Sequence, residues 1–110
     1  MNTIKFAVAG LGRIGKIHLD NLLQMEGVEV VAAMDPSEEC RLYAKNNNIP
    51  FITSSYKDLI SMGDFSVILI CSPTNTHADY VEMGALAGKD VFCEKLLFWN
   101  KSNSSRIPLQ

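Results

Sequence analysis

Three stretches hold residues whose types and spacing could do chemistry: AVAGLGRIG, CSPTNTHAD and CEK. The first supplies Gly10-x-Gly12-x-x-Gly15 directly after an apolar run and at the start of a helical pattern. In such a turn the first Gly permits a tight bend, the second lets backbone approach a pyrophosphate, and the third lets the helix pack closely. The anion would rest on the helix N-terminus, where free N–H groups and the helix dipole favour negative charge. Gly10, Gly12, Arg13, Ile14 and Gly15 are therefore candidate cofactor contacts. By itself the motif is generic, but its strand–turn–helix setting sharpens it. Asp35 adds to it, because it ends the second apolar run, 20 residues after Gly15. A carboxylate there accepts hydrogen bonds from both ribose hydroxyls of NAD and repels the 2′-phosphate of NADP. The plainer reading is that Asp35 opens the helix in DPSEE. Met34 and Pro36 are possible flanks for an adenine. Arg41 is a possible partner for a 2′-phosphate, so NADP stays open beside NAD.

The other two stretches end later apolar runs. Ser72, Pro73, Thr74, Asn75 and His77 form a polar turn entering a helix, suited to lie along a nicotinamide ribose. His77 reads as a structural residue or ribose neighbour rather than a proton shuttle. Glu94 and Lys95 follow the last clear strand, and their plain reading is a solvated strand end.

Elements that position these residues alternate along the chain. Strands are predicted at Ile4–Ala9, Val28–Met34, Ser66–Cys71 and Val91–Cys93, with a brief one at Phe51–Ile52. Their near-continuous Val and Ile content suits strands covered on both faces. Helices are predicted at Ile14–Met25, Glu38–Lys45, Tyr56–Met62 and Thr76–Ala87. The first places Ile14, Ile17, Leu22 and Met25 near one face, and the last places Ala78, Val81, Ala85 and Leu86 on one side. Gly88 suits a left-handed C-terminal cap. A β-α-β alternation of this kind specifies an α/β fold, an open doubly wound parallel sheet of the Rossmann type.

AVAGLGRIG, the Met34-Asp35 step and CSPTNTHADYVEMGALAGKDVFCEK, in that order, resemble the N-terminal half of the glucose–fructose oxidoreductase/inositol dehydrogenase/MocA family. The resemblance covers residues 3 to 95, and the VFCEK wording is similar to inositol 2-dehydrogenases. GLGRIGK also resembles the opening of glyceraldehyde-3-phosphate dehydrogenase and several hydroxyacid dehydrogenases, which AGKDVFCEK does not suit. The family resemblance implies NAD(H) or NADP(H) on this fold and a sugar or polyol held with a second, C-terminal domain. It implies hydride transfer between a carbinol carbon and the nicotinamide. It also implies that Lys95 sits by the reacting hydroxyl and the cofactor, and that Glu94 lines the nicotinamide side. An ammonium there stabilises the developing alkoxide.

At Leu96 the chain departs from the family, which has Pro after the Lys. The expected organisation is a dinucleotide-binding domain over 1–95 and an irregular tail over 96–110, foreign to the family. On this reading the chain is a truncated cofactor half, catalytically incompetent alone. The alternative is a non-catalytic nucleotide-binding or dimerising module. A bare edge on the Val91–Cys93 strand leads to expected self-association, with Leu96–Trp99 docking on the exposed surface.

The 110 residues suit one core, and the formal net charge of −2 argues against a nucleic-acid or membrane footprint. No apolar run nears the roughly 20 residues that cross a bilayer. Cys40, Cys71 and Cys93 lack metal-ligand spacing, and no metal site is expected. A cytoplasmic setting with reduced thiols is the expected location.

Overall fold

The structure is a computed structural model that describes residues 3–71, 74–93, 97–99 and 106–108, with side chains for 3–71 and 79–92. Its elements run β1 (Ile4–Ala9), α1 (Arg13–Leu23), β2 (Val28–Met34), α2 (Glu38–Asn46), β3 (Phe51–Thr53), α3 (Tyr56–Met62), β4 (Val67–Ile70), α4 (Thr74–Leu86), β5 (Asp90–Cys93), β6 (Leu97–Trp99) and β7 (Arg106–Pro108). The sheet order is β3-β2-β1-β4-β5-β6-β7. The first five strands in this order pair parallel, which is the doubly wound α/β arrangement expected from the alternation.

Two apolar layers flank the sheet. On one face Leu19 and Leu22 of α1 and Ala44 of α2 pack on Val8, Val30 and Ala33. On the other, Tyr56 and Leu59 of α3 and Val81 of α4 pack on Ala7, Ala9, Ile68, Ile70 and Val91. Alternate residues of β1 therefore serve opposite layers, as the strand pleat requires. Local signals set the helix ends. Ser37 caps α2 by accepting the Cys40 N–H, and Ser55 caps α3 by accepting the Asp58 N–H. Gly63 and Gly88 take the left-handed conformation after α3 and α4. Lys89 then reaches across to the carbonyls of Gly63 and Phe65, at 2.8 and 2.6 Å, tying the two turns together.

Three expectations need correction. The buried stripe of α1 is Gly15, Leu19 and Leu22, while Ile14, Ile17 and Met25 are exposed. The opposite flank of the helix meets α2, where Asp20 accepts the Tyr43 hydroxyl and Lys16 lies over the Tyr43 ring. In α4, Val81 is buried but Leu86 is exposed. Beyond Leu96 the chain is not wholly irregular: β6 pairs antiparallel with β5, and β7 with β6. The edge of β5, expected to be bare, is paired. Unpaired backbone groups on a strand edge are strong hydrogen-bonding groups, and Leu97-Phe98-Trp99 is an apolar, strand-compatible run that can meet them.

Gly84 is the tightest point of the α4 layer. A Cβ there would come within 2.9 Å of Val91 Cγ2, 3.1 Å of Ile68 Cδ1 and 3.2 Å of the Tyr56 hydroxyl. Tyr56 in turn donates to the Tyr80 carbonyl at 2.7 Å and stacks on the Tyr80 ring at 3.9 Å. Overpacking costs roughly 1–3 kcal/mol, against roughly 1 kcal/mol gained in helix propensity. Gly84→Ala is expected to lower unfolding stability by about 1 kcal/mol net, read from urea midpoints. An unchanged or raised midpoint would mean that this layer has room to spare.

Candidate cofactor site

The site is built where β1 stops. Gly10 leaves the strand at φ 104°, a value L side chains rarely adopt, and its N–H donates to the Met34 carbonyl at 2.7 Å. Leu11 follows with its side chain fully buried. Gly12 is the N-cap of α1, and a Cβ there would meet nothing within 4 Å. Gly15 is the reverse: a Cβ would overlap the Gly10 carbonyl oxygen outright and lie 2.8 Å from its carbon. The first helical turn thus rests on the backbone of the glycine bend. The three glycines divide the work: one bends, one leaves open space and one permits contact.

The N-terminus of α1 is open to an anion. No side chain caps it, and no acidic residue stands in its first turn. The starts of α2 and α3 differ, with serine caps and with Glu38, Glu39 and Asp58 in their first turns. Arg13 and Ile14 lie in the exposed first turn of α1, Ile14 with 41% of its surface in water. Unsatisfied N–H groups and the dipole therefore point outward with no carboxylate of the helix competing for them.

Asp35 stands beside this opening. The residue is 9% exposed. Oδ2 accepts the Leu11 N–H at 2.7 Å and Oδ1 accepts the Ser37 N–H at 2.8 Å. Since Ser37 is the cap of α2, opening that helix is not the carboxylate's whole role. Each carboxylate oxygen retains capacity for a further donor. Arg41 is tied by Nη1 to the carbonyls of Asp35 and Pro36, both at 2.9 Å. On its outer side Arg41 joins Glu38, Leu42, Lys45 and Ile52 in lining a surface cavity of about 330 Å³. Met34, suggested as an adenine flank, is instead buried in the core at 1% exposure, so its side chain has no face to offer.

On the third strand end, the Cys71 N–H donates to the Ala9 carbonyl at 2.7 Å. This brings the close of β4 beside the glycine bend. The helix α4 starts at Thr74, two residues earlier than predicted. Thr74, Asn75 and His77 therefore lie in its first turns, while Ser72, Pro73, Glu94 and Lys95 fall outside the described residues. The ends of β2, β1 and β4 are neighbours in the sheet, with α1 on one face and α3 and α4 on the other. That is the switch point at which open α/β sheets bind ligands. Two participants were not legible by type. Leu11 contributes a backbone amide, which no side-chain pattern announces. Tyr80 is raised above the usual tyrosine pKa, first by burial and then by the charge of Asp35.

The family model described as an oxidoreductase family with an NAD-binding Rossmann fold matches residues 4–101. The chain belongs to the Gfo/Idh/MocA oxidoreductase family. That match runs past Lys95, so the likeness does not stop at the Leu96 departure. The chain is 37% identical over 107 residues to myo-inositol 2-dehydrogenase of Thermotoga maritima, covering 94% of this chain and 31% of that protein. It superposes with TM-score 0.80 and 30% identity on scyllo-inositol dehydrogenase from Lactobacillus casei with bound NAD(H) and scyllo-inositol, covering 84% of this chain and 28% of that one. The WlbA dehydrogenase from Bordetella pertussis, in complex with NADH and UDP-GlcNAcA, matches with TM-score 0.80 and 27% identity, covering 86% and 30%. The chain spans under a third of the length of these relatives. Among the described residues no helix is long and apolar enough to cross a membrane.

The glycine geometry separates two variants. Gly15→Ala forces the helix off the bend and is expected to cost about 2 kcal/mol or more of stability. Gly12→Ala fills open space at an ordinary backbone conformation and is expected to cost under about 1 kcal/mol, the difference between Gly and Ala as a cap. Thermal and urea unfolding of both would check the order. Equal losses would show that the contact at Gly15 is not the constraint.

Proposed function

We propose that this chain binds NAD(H) and supplies the cofactor half of a dehydrogenase acting on the CH–OH group of a sugar or polyol, of the inositol type. One observation carries the reading: an uncapped helix N-terminus behind the Gly10–Gly15 bend, with the Asp35 carboxylate beside it. The inositol dehydrogenase relatives, one of them with scyllo-inositol bound, support the substrate class. NADH in two of the solved relatives supports the cofactor.

In this reading Gly12, Arg13, Ile14 and Gly15 meet the pyrophosphate through backbone N–H groups and the helix dipole. Asp35 accepts the ribose diol with the lone pairs its two backbone partners leave free. Its charge disfavours a 2′-phosphate, and Arg41 is already engaged on backbone carbonyls. The segment Ser72, Pro73, Thr74, Asn75 and His77 borders the nicotinamide ribose. Glu94 lines the nicotinamide side. Lys95 would stand by the reacting hydroxyl, where its neutral amine takes the hydroxyl proton and the ammonium so formed stabilises the alkoxide character at that oxygen until hydride loss leaves a carbonyl. When bound, the nicotinamide supplies the hydride acceptor. The remaining wall of the substrate pocket belongs to length that the relatives have and this sequence does not span, so the 110 residues bind cofactor without turning over a polyol.

Calorimetric titration of the 110-residue protein should show NAD(H) binding more tightly than NADP(H). Asp35→Ala should weaken NAD(H) by about tenfold or more, as expected for losing charge-assisted hydrogen bonds, and narrow the gap to NADP(H). Gly12→Ala should weaken both cofactors while leaving the fold intact. Inositol oxidation followed at the NADH absorbance should stay at background. Absence of binding by either cofactor to folded protein would overturn the reading, and robust inositol turnover would overturn the division of labour.

A further inference from the structure

The carboxylate of Asp35 makes one bond that a ribose-binding role does not call for. Between β1 and β2 the backbone pairing runs out at Gly10, whose N–H reaches the Met34 carbonyl. The next donor, the Leu11 N–H, has no strand opposite it, and it meets Asp35 Oδ2 across 24 residues of sequence in a buried position. The second oxygen takes the Ser37 N–H two residues on. A local turn explains that second bond but not the first. The Leu11 side chain is meanwhile sunk in the α1–α2 layer with no exposed surface. Leu11 is thus held at both ends, by its side chain in the core and by its amide on a charge, immediately before Gly12.

We infer that Asp35 is a positioning residue for the glycine bend: by accepting the Leu11 and Ser37 amides together it holds the donors at the start of α1 in their anion-binding arrangement before any ribose arrives. The demand is for a carboxylate and not merely for a polar group. Both partners are N–H donors, so an amide side chain could satisfy one only by turning its own NH₂ against the other. Loss of the charge leaves a buried backbone donor unpaired, which is costly, and the bend is the element free to move in response. Asp35 therefore contributes to phosphate affinity through Leu11, separately from any contact of its own with a ligand.

The ligand arm of the test rests on the dinucleotide reading above; the amide arm does not. In ¹⁵N,¹³C-labelled, ligand-free protein, couplings across the hydrogen bonds should join the Leu11 and Ser37 amide nitrogens to the Asp35 carboxyl carbon. Asp35→Asn and Asp35→Ala should each speed Leu11 amide exchange by about tenfold or more, relative to core amides of β1. For the ligand arm, adenosine diphosphate is compared with its 2′,3′-dideoxy analogue, which keeps the phosphates and lacks the diol. Asp35→Ala should weaken the dideoxy analogue by about tenfold and the parent by more. An unchanged affinity for the analogue, or a Leu11 amide with no coupling to Asp35 and indifferent to its substitution, would overturn the inference. Failure of both nucleotides to bind the wild-type protein would count against the dinucleotide reading alone, and the amide measurements would still decide the role of Asp35. The wild-type coupling measurement needs no variant, so misfolding of either substitution leaves the question answerable.

Discussion

A helix can lie flat against the turn that launches it only if nothing stands between the two backbones. At Gly15 that condition is met, because any side chain would collide with the Gly10 carbonyl. This contact sets the direction of α1, and the direction of α1 sets where its free amides point. Leu19 and Leu22 then fall onto β1 and β2, so the stripe that builds the core and the opening that could hold an anion are two consequences of one close approach. The electrostatics follow from the same geometry. A capping side chain or an early carboxylate would fill the opening from within, and α1 carries neither.

Several polar side chains, buried and part-buried, join loops and neighbouring elements to one another. Asp35 links the turn after β2 to the turn after β1. Arg41 braces the carbonyls on the far side of Asp35. Tyr56 and Tyr80 lock α3 to α4 by stacking and by one hydrogen bond. Lys89 performs the corresponding service at the opposite end of the sheet. Fully partnered groups of this kind rigidify the loops they join, and loops are where an open α/β sheet keeps its ligand contacts.

Much of this was legible because it rests on local chemistry. Apolar runs of Val and Ile ending in Gly, Asp-Pro or Ser-Pro mark strands and their stops, and Ser37 and Ser55 mark helix starts, since a hydroxyl at that position has only the nearby amides to serve. Gly10, Gly15 and Asp35 were legible because backbone conformation and charge are properties of the residue type. The buried face of α1 was not. Ile14, Ile17 and Met25 are apolar, but the helix is turned by Gly15, and a glycine adds nothing to a hydrophobic pattern. The Leu11–Asp35 bond escaped for a related reason: one partner is an amide that every residue but proline possesses. The strands β6 and β7 have three residues each, too few for a period of two to declare itself, and their pairing depends on an edge that exists only after folding.

Those last two strands widen the sheet in a different way from the first five. A parallel neighbour requires a crossover long enough to return to the same end, and the return path is usually a helix that roofs the new strand. An antiparallel neighbour requires only a reversal. Among the described residues the sheet therefore gains breadth beyond β5 without a further helix, and Phe92 is partly exposed while its neighbour Val91, facing α4, is dry. The last parallel strand is thus bordered by two short reversals instead of a further crossover helix.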